Sequence, residues 1–299
     1  MKKVSIIEIG PRDGFQNIKE FIPTEIKISV IDKLVQSGIK KIQVCSFISS
    51  KAIPQMRDAK EVSEAVIAKY PQIDFFALVP NLFGAKAAAA AGLKEISPVI
   101  SLSETHNKAN VNRTVAQSLE EISGIREELP DIKITMDIAT AFACPYEGRM
   151  EIPPLIDLIG KIHNMGIYSF TLCDTIGMAY PRQIKKVLEN VKKAFPSEEL
   201  NLHTHDTRNM GMLNTYVGIL NGVNNVETTL GGLGGCPFAP GASGNTATED
   251  LVYMLHLEGY DTGIDFNLLL EAAKFLKSNI VGNYSGHHIN IAICKSEQL

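Results

Sequence analysis

At 299 residues, 45% of them hydrophobic, with no tryptophan and a formal net charge of -4, the chain has the length and balance for one large buried core. Its 29 Lys and Arg nearly match its 33 Asp and Glu, so charge makes no case for nucleic acid or an anionic membrane and points to small-molecule partners. The five cysteines, Cys45, Cys144, Cys173, Cys236 and Cys294, are odd in number and lack CxxC spacing, which argues against a disulfide framework or structural zinc and suits a reducing cytoplasm.

The first element is the apolar run VSIIEIG from Val4, too short before Glu8 to be the core of a signal peptide. Further runs rich in β-branched and apolar residues follow: KIQVCSF from Lys41, DFFALVP from Asp74, EISPVISLS from Glu95 and KITMDIATAF from Lys133. YSFTLCDTIG from Tyr168, NLHTHD from Asn201 and NVETTLGG from Asn225 complete a set of eight. Between them lie segments of helical periodicity such as TEIKISVIDKLVQSG, AKEVSEAVIAKY, TVAQSLEEISGIREEL, PPLIDLIGKIHNMG and PRQIKKVLENVKKAF. None is long and apolar enough to span a membrane.

Eight strand–helix units match a closed (β/α)8 TIM barrel of roughly 250 residues. The competing reading, an open doubly wound sheet, would usually carry a glycine-rich dinucleotide fingerprint after its first strand, and GPRDG is not one. We therefore expect one domain, with the barrel over about 4–260 and a C-terminal helical extension over about 262–299 containing FNLLLEAAKFLKSNIVG.

In such a barrel the chemistry gathers at the C-terminal ends of the strands. His203 and His205, two apart on one strand, project to the same face. A lone His-x-His is often one core histidine and one near solvent; here Asp13 and Asn245 fall at the same rim. The mixed nitrogen and oxygen set suits Mg2+ or Mn2+ with positions left open. Arg12 is either half of a surface ion pair or a cation for developing negative charge. Asp174 is either a helix cap before Thr175-Ile176-Gly177 or an inward base. Cys236 lies in GGLGGCPFAPGASGN, where six glycines in fifteen residues make either a tight corner or a loop able to close over the mouth.

GPRDGFQN, SFISSKAIPQMRDA, LVPNLFGAKAA, SETHNKANVN, CPYEG, DTIG, LHTHDTR and, most specifically, GGLGGCPFAPGASGNTATEDLVYML closely resemble the 3-hydroxy-3-methylglutaryl-CoA lyase family. That family belongs to a superfamily of metal-dependent barrel lyases and acyl-CoA condensing enzymes. The resemblance runs nearly the whole chain. It implies retro-Claisen cleavage of 3-hydroxy-3-methylglutaryl-CoA to acetoacetate and acetyl-CoA, an acyl-CoA partner and a homodimer. It implies Asp13, His203, His205 and Asn245 as ligands of a divalent cation, Mg2+ or Mn2+, and Arg12 as the residue stabilising the enolate. Cys236 matches the catalytic loop thiol, with His203 as the other candidate proton donor, and Asp174 a further active-site acid. Gln16, Gln43, Asp137 and Glu249 join Arg12 as candidate substrate-binding residues.

Three positions depart from the family pattern. Gln43 stands in IQVCSF where a glutamate is usual, Asp137 in TMDIA where a tyrosine is usual, and LCDTIG adds Cys173 beside Asp174. These exchanges either shift negative charge across one pocket or mark a different 3-hydroxyacyl group. A condensing synthase and a non-catalytic metal- or acyl-CoA-binding homologue are the alternatives from other classes. His287, His288 and Asn290 either contribute to coenzyme A binding or pack on the barrel.

Overall fold

The computed structural model describes residues 2–235 and 244–291. All eight apolar runs are strands: β1 Ser5–Glu8, β2 Lys41–Ser46, β3 Asp74–Val79, β4 Glu95–Ser101, β5 Lys133–Ala139, β6 Ser169–Asp174, β7 Glu199–Thr204 and β8 Asn225–Thr228. Each pairs in parallel with its sequence neighbours and β8 returns to β1, closing the barrel. The helices are α1 Thr24–Gln36, α2 Ala59–Lys69, α3 Leu82–Ala90, α4 Glu104–Val111, α5 Val115–Glu128, α6 Ile152–His163, α7 Pro181–Ala194, α8 Gly211–Leu220, α9 Thr248–Leu257 and α10 Phe266–Asn279.

Alternation along the strands sorts side chains into two cores. Ile134, Met136 and Ile138 of β5, Phe170 and Leu172 of β6, and Leu200 and Leu202 of β7 pack outward in the main hydrophobic cluster. It includes the faces of surrounding helices, such as Ile184, Val187, Leu188 and Val191 of α7 at helical spacing. The intervening residues face inward and meet across strands. Thr135 donates to Ser169 at 3.1 Å, Asn201 to Thr171 at 3.4 Å, and Asn225 to Asn201 at 3.1 Å. A small apolar cluster of Ile7, Ile9 and Phe76 is separate from the main core.

Two local departures from regular structure shape the mouth. In β2 the register against β3 shifts between Gln43 and Cys45, a bulge that re-aims successive side chains. Cys45 thereby packs against α2, 3.4 Å from Ser63, while Gln43 meets Arg12. After β1 the chain forms one turn of π-helix, Gly10–Gly14, a distortion often found at functional sites. The extension is α10, whose Leu269, Leu270, Ala273 and Leu276 are buried, followed by a segment docked through Asp250. That carboxylate accepts the backbone N–H groups of His287 and His288 at 2.7 and 2.9 Å and bonds both imidazole Nδ1 atoms. Among the described residues no helix is long and apolar enough to cross a membrane.

Candidate active site

Five sequence-predicted residues converge at the C-terminal rim. The π-turn carries Arg12 and Asp13; β7 ends in Thr204, so His203 lies on the strand and His205 one residue beyond its end. His205 is held in a bridge to Asn245, whose segment leads into α9. The imidazole centroids of His203 and His205 are 5.0 Å apart. One ligand atom each from Asp13, His203 and His205 lie within 4.8 Å of one another, and all three residues are buried.

Asp13 is the hub. Its Oδ1 accepts from Arg12 Nη1 at 2.5 Å and Gln16 Nε2 at 3.0 Å, and its Oδ2 accepts from Asn245 Nδ2 at 2.7 Å. Burial works against its ionisation, yet the charges of Arg12 and the two histidines and the Asn245 hydrogen bond hold its pKa down at about 2. His205 is pushed the other way, to about 3, by burial and then by neighbouring His203, so the ring is neutral and one of its nitrogens offers a lone pair. An ionised carboxylate beside a neutral imidazole is the protonation pattern that a divalent cation requires of its ligands. Asn245 Oδ1 and His205 Nδ1 are buried and have no partner among the described residues, unusual in a folded interior unless something else occupies them. The donor set therefore fits a divalent cation.

Around this cluster, Arg12 Nε donates to Gln43 Oε1, leaving Gln43 Nε2 buried and unpartnered. Asp137 is buried on β5 with Oδ1 lacking a partner among the described residues; burial and then the charge of Glu227 push its pKa to about 7 against the pull of a Ser97 hydrogen bond. Arg12 and His203 also act on that carboxyl, which places it within electrostatic reach of the cluster. Asp174 is fully buried and, rather than capping a helix, closes a turn ahead of α7, accepting Met178 N–H at 3.0 Å and Ala179 N–H at 3.1 Å; burial raises it to about 6. Glu249 does not join the hub: it accepts the Gly231 N–H at 2.9 Å and braces the glycine-rich turn, with burial raising it to about 8. Burial, then Asp137 and Glu227, drive the Cys173 thiol well above its ordinary range. Cys236 lies outside the described residues.

Sequence reasoning missed Glu227. Its Oε2 lies 2.8 Å from His203 Nδ1 and its Oε1 accepts from Thr171 Oγ1 at 3.1 Å, both residues buried. The signal was the alternation of NVET: with Val226 facing the outer core, Asn225 and Glu227 point into the barrel.

The HMGL-like family model matches residues 3–276. A Mus musculus protein named 3-hydroxy-3-methylglutaryl-CoA lyase, cytoplasmic, is 42% identical over 91% of this chain and 80% of its own length. The Mus musculus mitochondrial hydroxymethylglutaryl-CoA lyase is 40% identical over 92% of this chain and 85% of its own length. An HMG-CoA lyase from Acinetobacter baumannii, solved with coenzyme A and 3-methylmalate, superposes with a TM-score of 0.91 at 37% identity, covering 98% of each chain.

Proposed function

The chain belongs to the HMGL-like family, and from that premise we propose that it is a carbon–carbon lyase cleaving 3-hydroxy-3-methylglutaryl-CoA to acetoacetate and acetyl-CoA. The observation that carries the reading is the convergence of Asp13, His203 and His205 donor atoms within 4.8 Å at the mouth of a closed barrel. With Asn245 they would hold Mg2+ or Mn2+, which would supply Lewis-acid chemistry at the barrel mouth.

Cleavage removes the proton of the tertiary hydroxyl, turns that C–O bond into the ketone of acetoacetate, and sends the electron pair of the broken C–C bond into the thioester enolate. Protonation of that enolate gives acetyl-CoA. In our reading Asp174, raised to about 6, accepts the hydroxyl proton. Arg12 is fixed on both sides by Gln43 and Asp13, so its guanidinium is pre-aimed to stabilise the enolate oxygen without reorganising. Glu227 lies at His203 Nδ1, so a proton on that nitrogen faces Glu227 and is turned away from the substrate. We assign the donor role to the Cys236 thiol, which matches the catalytic loop thiol of the family that the chain resembles. Gln43 and Asp137 each present an unpartnered polar atom, and we assign them to the polar groups of the acyl portion. Gln16 steadies Asp13, and Glu249 supports the turn leading to Cys236.

We further infer one catalytic domain, working as a homodimer in the cytoplasm, as the name of the cytoplasmic relative suggests. The test is to strip the protein with EDTA, restore Mg2+ or Mn2+, add the thioester, and assay acetoacetate and acetyl-CoA. Equal amounts of both products, appearing only with metal, are expected. No product with either metal sinks the substrate assignment.

A further inference from the structure

We propose that Glu227 is the positioning residue of the cation site, holding His203 in a single tautomer and orientation; this rests on the metal reading above. Glu227 and His203 sit side by side in the β7–β8 register, and both are buried. The carboxyl is clamped at both ends, Oε2 at 2.8 Å from His203 Nδ1 and Oε1 at 3.1 Å from Thr171 Oγ1. It has little freedom to turn away. A carboxylate can only accept, so the proton of the imidazole resides on Nδ1 and the lone pair on Nε2. Its negative charge also makes the imidazole a more basic ligand, as in other carboxylate–histidine–metal arrangements. Among the described residues no equivalent holds His205: its Nδ1 has no partner there, so that ring depends on the Asn245 bridge and the cation. The two histidines are thus unequal, one fixed before the cation arrives and one completed by it.

The test uses the whole chain and Mn2+ as probe, with free Mn2+ read by electron paramagnetic resonance. Nitrogen-15 NMR of histidine-labelled, metal-free protein, followed to alkaline pH where the imidazole is neutral, reports which ring nitrogen carries the proton. In the wild type we expect the Nδ1–H form at His203. Glu227→Ala and the isosteric Glu227→Gln should weaken Mn2+ binding about 10- to 100-fold, and Glu227→Ala should shift His203 toward the Nε2–H tautomer. Circular dichroism confirms folding, and if the alanine variant is unfolded, the glutamine variant decides. Mn2+ affinity within threefold of wild type in folded Glu227→Gln overturns the proposal, as does an Nε2–H signal in the wild type. A wild type that binds no Mn2+ overturns the metal reading and this inference with it, so the two failures are distinguishable.

Discussion

Asp174 accepts the N–H groups of Met178 and Ala179, and an asparagine can still accept both through its amide oxygen. Asp174→Asn therefore keeps the turn and removes the base. If proton acceptance is its role, kcat should fall about 10²- to 10⁴-fold with little change in thermal midpoint. Unchanged kcat would leave Asp174 a cap alone. At this scale the sequence was legible where local periodicity decides. His203 and His205 share a face because they are two apart on an extended chain, and their rings do stack side by side. Glu227 was harder, because its meaning depends on a partner 24 residues away, brought level only by strand register.

Among the elements, all eight strands could be read because apolar β-branched runs separated by amphipathic segments leave few alternatives to β/α units. Two details depended on tertiary structure. Simple alternation would put Gln43 and Cys45 on one face, and only the β2 bulge separates them. NLHTHD reads as one strand, yet β7 stops at Thr204 and the Asn245 bridge takes over. That bridge makes the following turn sensitive. Gly234 has φ +140°, and a Cβ there would lie 2.6 Å from Asn245 Nδ2 and 3.5 Å from Asp13 Oδ2. Gly234→Ala must move the backbone or displace Asn245 from Asp13, with backbone strain of roughly 1–3 kcal/mol. We predict at least tenfold weaker Mn2+ binding in a protein that still folds; calorimetric titration giving wild-type affinity would show that Asn245 is not positioned through this turn.

For the whole molecule, barrel closure buries an unusual set of carboxyls whose effects sum in the pH dependence of stability. Burial raises Glu8 and Asp137 to about 7, Glu249 to about 8 and Asp174 to about 6. The folded chain keeps protons that the unfolded chain has released, so their favourable contribution is complete below about pH 4 and is lost as pH rises through 6 to 8. Raised His203 acts in the same direction, its contribution present below 6.5 and lost as pH climbs through its folded value. Lowered His205 acts oppositely, stabilising above 6.5 and losing that contribution as pH falls toward 3. Above pH 6.5 only the first direction remains among these groups. Metal-free protein should thus lose thermal stability between pH 6.5 and 8.5, each carboxyl protonated only in the fold contributing up to about 1.4 kcal/mol per pH unit. Glu8 isolates one share of this slope. It joins β1, the strand-8 turn and α9 by accepting from Gly10 N–H, Leu230 N–H and Thr248 Oγ1. A glutamine carbonyl can accept the first two while its amide donates to the Thr248 hydroxyl, which can still donate to Thr228. Glu8→Gln should flatten the slope and gain on the wild type toward pH 8.5, whereas Glu8→Ala strands two buried N–H groups at a cost of about 1–3 kcal/mol each. Melting curves of the EDTA-treated proteins that rise with pH, or that run parallel for wild type and Glu8→Gln, would mean these carboxyls are ionised inside the barrel.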